Sequence, residues 1–138
     1  MGVGFKVDFY WHEIGHGDFL HSFFSTICYH LEGRRWGSKY PYLMNKLYQG
    51  SLAWEDVKFA REELKSVERG LRKFKPSKVI WDIEDLSKRP PWGDNISESI
   101  TDLSNYFVTS GGRDLITILF DVFDEAESRK HAVEIVGF

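Results

Sequence analysis

The sequence has one cysteine, four prolines and no long apolar run. A single cysteine excludes an internal disulfide and any cysteine-based metal site, and Cys28 lies in an apolar helical pattern that favours a buried thiol over a nucleophile. Apolar runs of a few residues are too short to span a bilayer, and the N-terminus has neither the basic start nor the apolar stretch of a secretory signal. We therefore expect a cytoplasmic protein that makes no contact with a membrane.

The sequence also lacks an excess of positive charge, with 18 basic and 21 acidic residues and a net charge of −3. No overall field therefore attracts nucleic acid, and we expect no nucleic-acid partner. A hydrophobic content of 42%, with eleven Phe, five Trp and six Tyr, is ample for a core. No repeat or low-complexity linker divides the 138 residues, so we expect a single domain over residues 1–138.

One motif has the spelling of a zinc hydrolase: residues 12–16 read H-E-x-x-H. That chemistry needs a helix, because only a helix places His12 and His16 on one face with Glu13 beside them as general base. Gly15 inside the motif disfavours a helix. Upstream, apolar residues fall at every second position, which is the period of a strand. These alternating residues are Val3, Phe5, Val7, Phe9 and Trp11.

The motif is therefore predicted to lie where a strand ends, with a helix capped by Asp18 beginning after it. No third histidine follows at the spacing of the extended zinc motif. A small zinc-dependent hydrolase that uses His12, Glu13 and His16 is kept as the alternative function, and the leading interpretation has no metal and no cofactor.

Hydrophobic periodicity indicates the other elements. Apolar residues recur in steps of three and four from Val57 to Phe74, and again from Leu115 to Ser128 behind a capping Asp114. Further strands are predicted over residues 78–83, 106–109 and 132–136, and shorter helices after Pro41 and over residues 96–103. The whole pattern predicts an α+β fold with a mainly antiparallel sheet covered by three to five helices.

An acidic stretch with a tryptophan follows the predicted strand over residues 78–83. Asp82, Glu84 and Asp85 come at its end, and a proline-rich loop then carries Trp92 and Asp94. Clustered carboxylates can act as general acid and base, but no basic or nucleophilic residue is fixed beside these three. We therefore predict no catalytic residues here.

The most specific part of the sequence is the run W-D-I-E-D-L-S-K-x-P-P-W-G. Further characteristic segments accompany it, and the full set covers residues 77–88, 90–97, 17–26, 103–110 and 112–115. Together these segments resemble the immunity protein 70 family of bacterial polymorphic toxin systems.

This resemblance implies a non-enzymatic, cytoplasmic protein that binds and neutralises a cognate toxin C-terminal domain by occluding it. Acidic and aromatic side chains suit such a role, because many toxins have basic clefts. The predicted toxin-facing residues are Asp82, Glu84, Asp85, Trp92 and Asp94. A structural interpretation of the same residues stays open, in which Trp81 and Trp92 brace the core and the acids cap loops.

Overall fold

The computed structural model describes residues 2–137. It contains a four-stranded antiparallel sheet with the strand order β2-β1-β4-β3, and three α-helices. The strands are β1 (Gly2–Val7), β2 (Tyr10–His16), β3 (Ser51–Leu52) and β4 (Val133–Gly137). The helices are α1 (Gly17–Leu31), α2 (Val57–Leu71) and α3 (Leu115–Arg129), with a π-helix at Tyr42–Leu47 and 3-10 turns at Trp54–Asp56 and Pro76–Lys78. The predicted α+β fold with an antiparallel sheet is confirmed.

The N-terminal alternating pattern belongs to a hairpin rather than to one strand. Phe5 and Val7 are fully buried on β1, as the pattern predicts, whereas Phe9 is 91% exposed. The chain reverses at Asp8, whose φ of 54° lies in the left-handed region that Asp tolerates in tight turns. Alternation continues across the turn, so the period alone did not reveal that β2 begins at Tyr10.

Helix α1 follows β2 without a loop. His16 is its N-cap, and the Nδ1 atom of this residue accepts a hydrogen bond from the backbone N–H of Asp18 at 3.1 Å. The prediction that Asp18 caps the helix is therefore wrong by two residues, because the His16 ring already satisfies one of the free N–H groups of the first turn. The last predicted helix has its predicted cap, since Asp114 Oδ2 accepts from the N–H of Thr117 at 3.0 Å.

The core lies between the helices and one face of the sheet. Residues of α2 at steps of three and four are fully buried, which confirms the predicted helix. Cys28 is buried on α1, and burial, together with the nearby Glu32 carboxylate, raises the pKa of its thiol, as expected for a residue of the core. Among residues 2–137, no helix has the length and apolar character needed to cross a bilayer.

Three predicted elements are wrong. Residues 79–114, all of them described, contain no helix or strand, and the only sheet-like pairing in this stretch is an isolated bridge between Val108 and Asp114. The predicted strands over residues 78–83 and 106–109 and the helix over residues 96–103 are therefore replaced by turns and extended chain. We call residues 79–114 the irregular segment, and the sheet with α1, α2 and α3 the framework.

The start of the irregular segment bonds to a helix instead of a sheet. The Oγ1 atom of Thr26 accepts from the N–H of Ile80 at 3.1 Å, and Ser22 Oγ donates to the carbonyl of Ile80 at 2.8 Å. Ser25 Oγ accepts from the N–H of Ile83 at 3.1 Å. These three hydroxyl residues are fully buried on α1, so they satisfy backbone groups that a neighbouring strand would otherwise pair.

The end of the irregular segment returns to β2, which is an edge strand of the sheet. The N–H of Ser110 donates to the carbonyl of Ile14 at 3.1 Å, and Ser110 Oγ donates to Glu13 Oε2 at 3.2 Å. Part of the outer edge of β2 is thereby covered.

Candidate functional site

The H-E-x-x-H motif lies inside strand β2, not in a helix and not in a turn after the strand. Ile14 is an extra residue in the ladder, because Val3 pairs with Gly15 and Gly4 pairs with Glu13. Such a bulge shifts the register by one residue.

The bulge separates the two histidines of the motif. His12 pairs with Phe5 and His16 pairs with Gly2. Directly paired residues share a face of the sheet, and successive residues of a strand alternate between faces. Phe5 and Gly2 are three positions apart on β1, so His12 and His16 belong to opposite faces.

Each polar residue of the motif has its own structural partner. His12 Nε2 lies 3.3 Å from Glu125 Oε2 of α3, Glu13 accepts from Ser110, and His16 caps α1. Within residues 2–137, no three His, Cys, Asp or Glu side chains are grouped so as to hold a metal ion. The zinc-hydrolase alternative thus lacks the helix and the convergence of ligands on which it depends.

Among the predicted surface residues, Asp82 is the most strongly tied to the protein. Its Oδ1 atom accepts from the N–H of Glu84 at 2.9 Å and lies 3.3 Å from His21 Nε2, while Oδ2 lies 3.6 Å from Lys88 Nζ. The N–H of Glu84, aided by His21 and Lys88, lowers the pKa of Asp82 against the opposing effect of burial. Asp82 therefore stabilises a turn and joins the irregular segment to α1.

The other three acids are exposed. Asp85 accepts from both the hydroxyl and the N–H of Ser87, at 2.6 Å and 3.1 Å, and these bonds lower its pKa. Asp85 is therefore a turn-capping residue that also presents charge. Glu84 and Asp94 are accessible to a partner.

Trp92 has both a structural contact and an accessible surface. Its Nε1 atom donates to the hydroxyl of Tyr106 at 2.9 Å, and its ring meets Trp81 edge to face with centroids 5.4 Å apart. The residue nevertheless remains 38% exposed. Trp92 therefore braces the structure through Tyr106 and Trp81, as one of the two interpretations expected. Its role in binding a toxin stays a prediction.

Two depressions are lined in part by residues of the irregular segment. The first, of about 400 Å³, is predominantly apolar and is walled by Phe19, Trp81, Trp92 and Val108. The second, of about 390 Å³, is lined by three aromatic rings together with an aliphatic, an amide and an acidic side chain. Its lining residues are His21, Trp36, Tyr48, Gln49, Ile83 and Glu84.

Sequence reasoning missed the aromatic lining of the second depression. His21 comes from α1, Trp36 from the turn after it, and Tyr48 from the end of the π-helix. Their separations follow no helical or strand period, so nothing in the sequence indicated that the rings meet. In the sequence, His21 lies five residues after His16, which does not match the third-histidine spacing of the extended zinc motif.

The fold and this surface define an α+β protein that presents acidic and aromatic side chains from one irregular segment. The sequence model of a family described as Immunity protein 70 matches residues 5–135. The chain belongs to the immunity protein 70 family, as the resemblance implied. No curated protein and no solved structure matches it.

Proposed function

We propose that this protein is a cytoplasmic, non-enzymatic immunity protein of a bacterial polymorphic toxin system. It acts as one domain that binds the C-terminal domain of a cognate toxin and occludes the toxin's working surface. Membership of the immunity protein 70 family is the observation that carries this proposal. The irregular segment supports it, because tryptophan is enriched among binding hot spots and accessible carboxylates complement a basic partner.

The proposed toxin-facing residues divide into two roles. Glu84, Asp85 and Asp94 present exposed carboxylates, and Trp92 presents an aromatic face beside the apolar depression. Asp82 holds the shape of the segment through His21 and Lys88 and adds to the negative potential. Residues 82–94 carry four carboxylates against two basic side chains, so their field favours a basic partner.

The test uses the toxin domain encoded beside this gene. Affinity is measured by calorimetry for the natural protein and for a variant that combines Asp85→Ala, Trp92→Ala and Asp94→Ala. We expect a loss of about 30-fold or more, because a single aromatic hot spot commonly contributes about 2 kcal/mol or more. Protection of a strain that expresses the toxin should fall in parallel.

A matched control lies on the exposed face of α2 and the 3-10 turn that precedes it. Together, Glu55→Ala, Phe59→Ala and Glu62→Ala remove two negative charges and one exposed aromatic ring, as the test variant does. Phe59 is 45% exposed. This control should bind the toxin like the natural protein. Equal affinities for the natural protein and the irregular-segment variant would place the toxin on another face, and absence of binding by the natural protein would refute the proposed function.

A further inference from the structure

The second depression has walls of three aromatic rings that neighbouring groups hold in place. The ring centroids of Trp36 and Tyr48 are 5.1 Å apart at an interplanar angle of 58°, and that of His21 lies 5.8 Å from Tyr48. Trp36 Nε1 donates to the carbonyl of Met44 at 3.0 Å, and His21 Nδ1 is hydrogen-bonded to the Tyr48 hydroxyl at 2.6 Å. The rings are therefore fixed before any partner arrives.

The charges around this depression are negative. Glu84 lines it and is exposed, and Asp82 lies behind the His21 ring. Burial raises the pKa of the Tyr48 phenol, and the negative charges of Glu84 and then of Asp82 raise it further. Both carboxylates therefore make the electrostatic potential inside the depression more negative.

Neither lysine nor arginine is among the residues that line the depression. The one basic side chain among them, His21, directs its two ring nitrogens at the Tyr48 hydroxyl and the Asp82 carboxylate. Lys88, which pairs with Asp82, lines the neighbouring small cavity together with Asp18 and Trp81. The faces of aromatic rings carry negative electrostatic potential, so a cation in the depression would interact with the rings that line it and with Glu84.

We propose that the depression formed by His21, Trp36, Tyr48 and Glu84 receives an arginine side chain of the partner. Arginine fits better than lysine, because a planar guanidinium stacks on aromatic rings and can donate two parallel hydrogen bonds to one carboxylate. The inference rests on the proposed function in that the arginine belongs to the toxin. The chemistry of the pocket itself can be tested without the toxin.

The first experiment titrates nitrogen-15-labelled protein with Nα-acetyl-arginine methylamide and, separately, with the neutral citrulline analogue of the same shape. The arginine compound should shift the indole N–H resonance of Trp36 saturably, and the citrulline compound should not. Glu84→Gln should weaken arginine binding about threefold to tenfold, since one carboxylate contact and its field are lost. Asp94→Asn, which removes an exposed acid outside the pocket lining, should leave the arginine affinity unchanged.

The second experiment measures the affinity of Glu84→Gln and Asp94→Asn for the neighbouring toxin domain. Glu84→Gln should lose several-fold more affinity than Asp94→Asn. Equal binding of arginine and citrulline, or no shift at Trp36, overturns the arginine pocket. If the natural protein binds the toxin and Glu84→Gln binds equally well, the pocket is not used although the proposed function stands. If the natural protein does not bind the toxin, the proposed function fails, and the arginine titration still decides the chemistry of the pocket.

Discussion

The framework and the irregular segment satisfy their backbone hydrogen bonds in different ways. In the framework, strands pair with strands and helices bond internally. At the start of the irregular segment, the partners are hydroxyl groups of Ser22, Ser25 and Thr26, buried on α1. A helix face that carries hydroxyls can therefore anchor extended chain as a neighbouring strand would. The start of the irregular segment is held in place without the hydrogen bonds of a sheet. Its later turns can therefore present side chains to solvent.

The largest expected effect tests whether the framework and the irregular segment share one hydrophobic core. Phe107 belongs to the irregular segment, yet it is 1% exposed and its ring centroid lies 5.2 Å from that of Phe23 on α1. Phe107→Ala should lower the free energy of unfolding by about 3 to 5 kcal/mol, as large cavities do. Urea denaturation should give a similar loss for Phe123→Ala in α3. A loss below about 1 kcal/mol for Phe107→Ala would show that the segment packs independently.

A smaller effect should come from a substitution that destabilises only the irregular segment and leaves the framework intact. Thr26→Val keeps the side-chain volume but leaves the N–H of Ile80 without its hydroxyl acceptor, which should cost about 1 to 3 kcal/mol. Hydrogen exchange should accelerate at Ile80 and Ile83 more than in α2 or α3. Thr26→Ser retains the hydroxyl and is the matched control. Uniform acceleration over the whole chain would contradict the assignment of Thr26 as an anchor of this segment.

A third change tests one side-chain bond within the segment. Trp92→Phe removes the hydrogen bond to the Tyr106 hydroxyl but keeps an aromatic ring against Trp81. The expected loss is about 0.5 to 1.5 kcal/mol in urea denaturation. Trp81→Phe, in which no described indole hydrogen bond is lost, should serve as the control for ring size. An equal loss in both variants would assign the effect to packing.

The smallest effect concerns the pH dependence of the anchor at Asp82. Its pKa is lowered by the N–H of Glu84 and by His21. A lowered folded-state pKa means that the stabilisation is present above the ordinary value of about 3.9 and is lost as pH falls through the folded value. Asp82→Asn should therefore be less stable than the natural protein at neutral pH, and the difference should shrink below about pH 4. A difference that does not change with pH would mean that the Asp82 charge is unimportant.

Periodic burial made much of the framework predictable from sequence. Residues of α2 alternate in steps of three and four because one face meets the core, and Asp114 precedes α3 as a cap. The irregular segment has no such period. The run from Val79 to Ile83 has the composition of a strand, but composition does not reveal whether the partner is a strand or a row of hydroxyls.

The candidate surface was predictable only where its residues are neighbours in sequence. Glu84 and Trp92 lie in one short stretch, so their acidic and aromatic character was visible. Trp36 and Tyr48 come to lie beside Glu84 because of the path that the chain takes after α1, and no local sequence pattern encodes that path. The bulge at Ile14, which sends the two motif histidines to opposite faces, was equally invisible, because it appears only in the pairing with β1.

The hydrogen bonds of Ser110 to Ile14 and Glu13 have a consequence for solubility. An uncovered edge strand is a template on which a second chain can add. Opening the end of the irregular segment would bare the carbonyl of Ile14 on the strand that also carries the exposed rings of Tyr10 and Trp11. The same segment that is proposed to meet a toxin thus guards this protein against self-association.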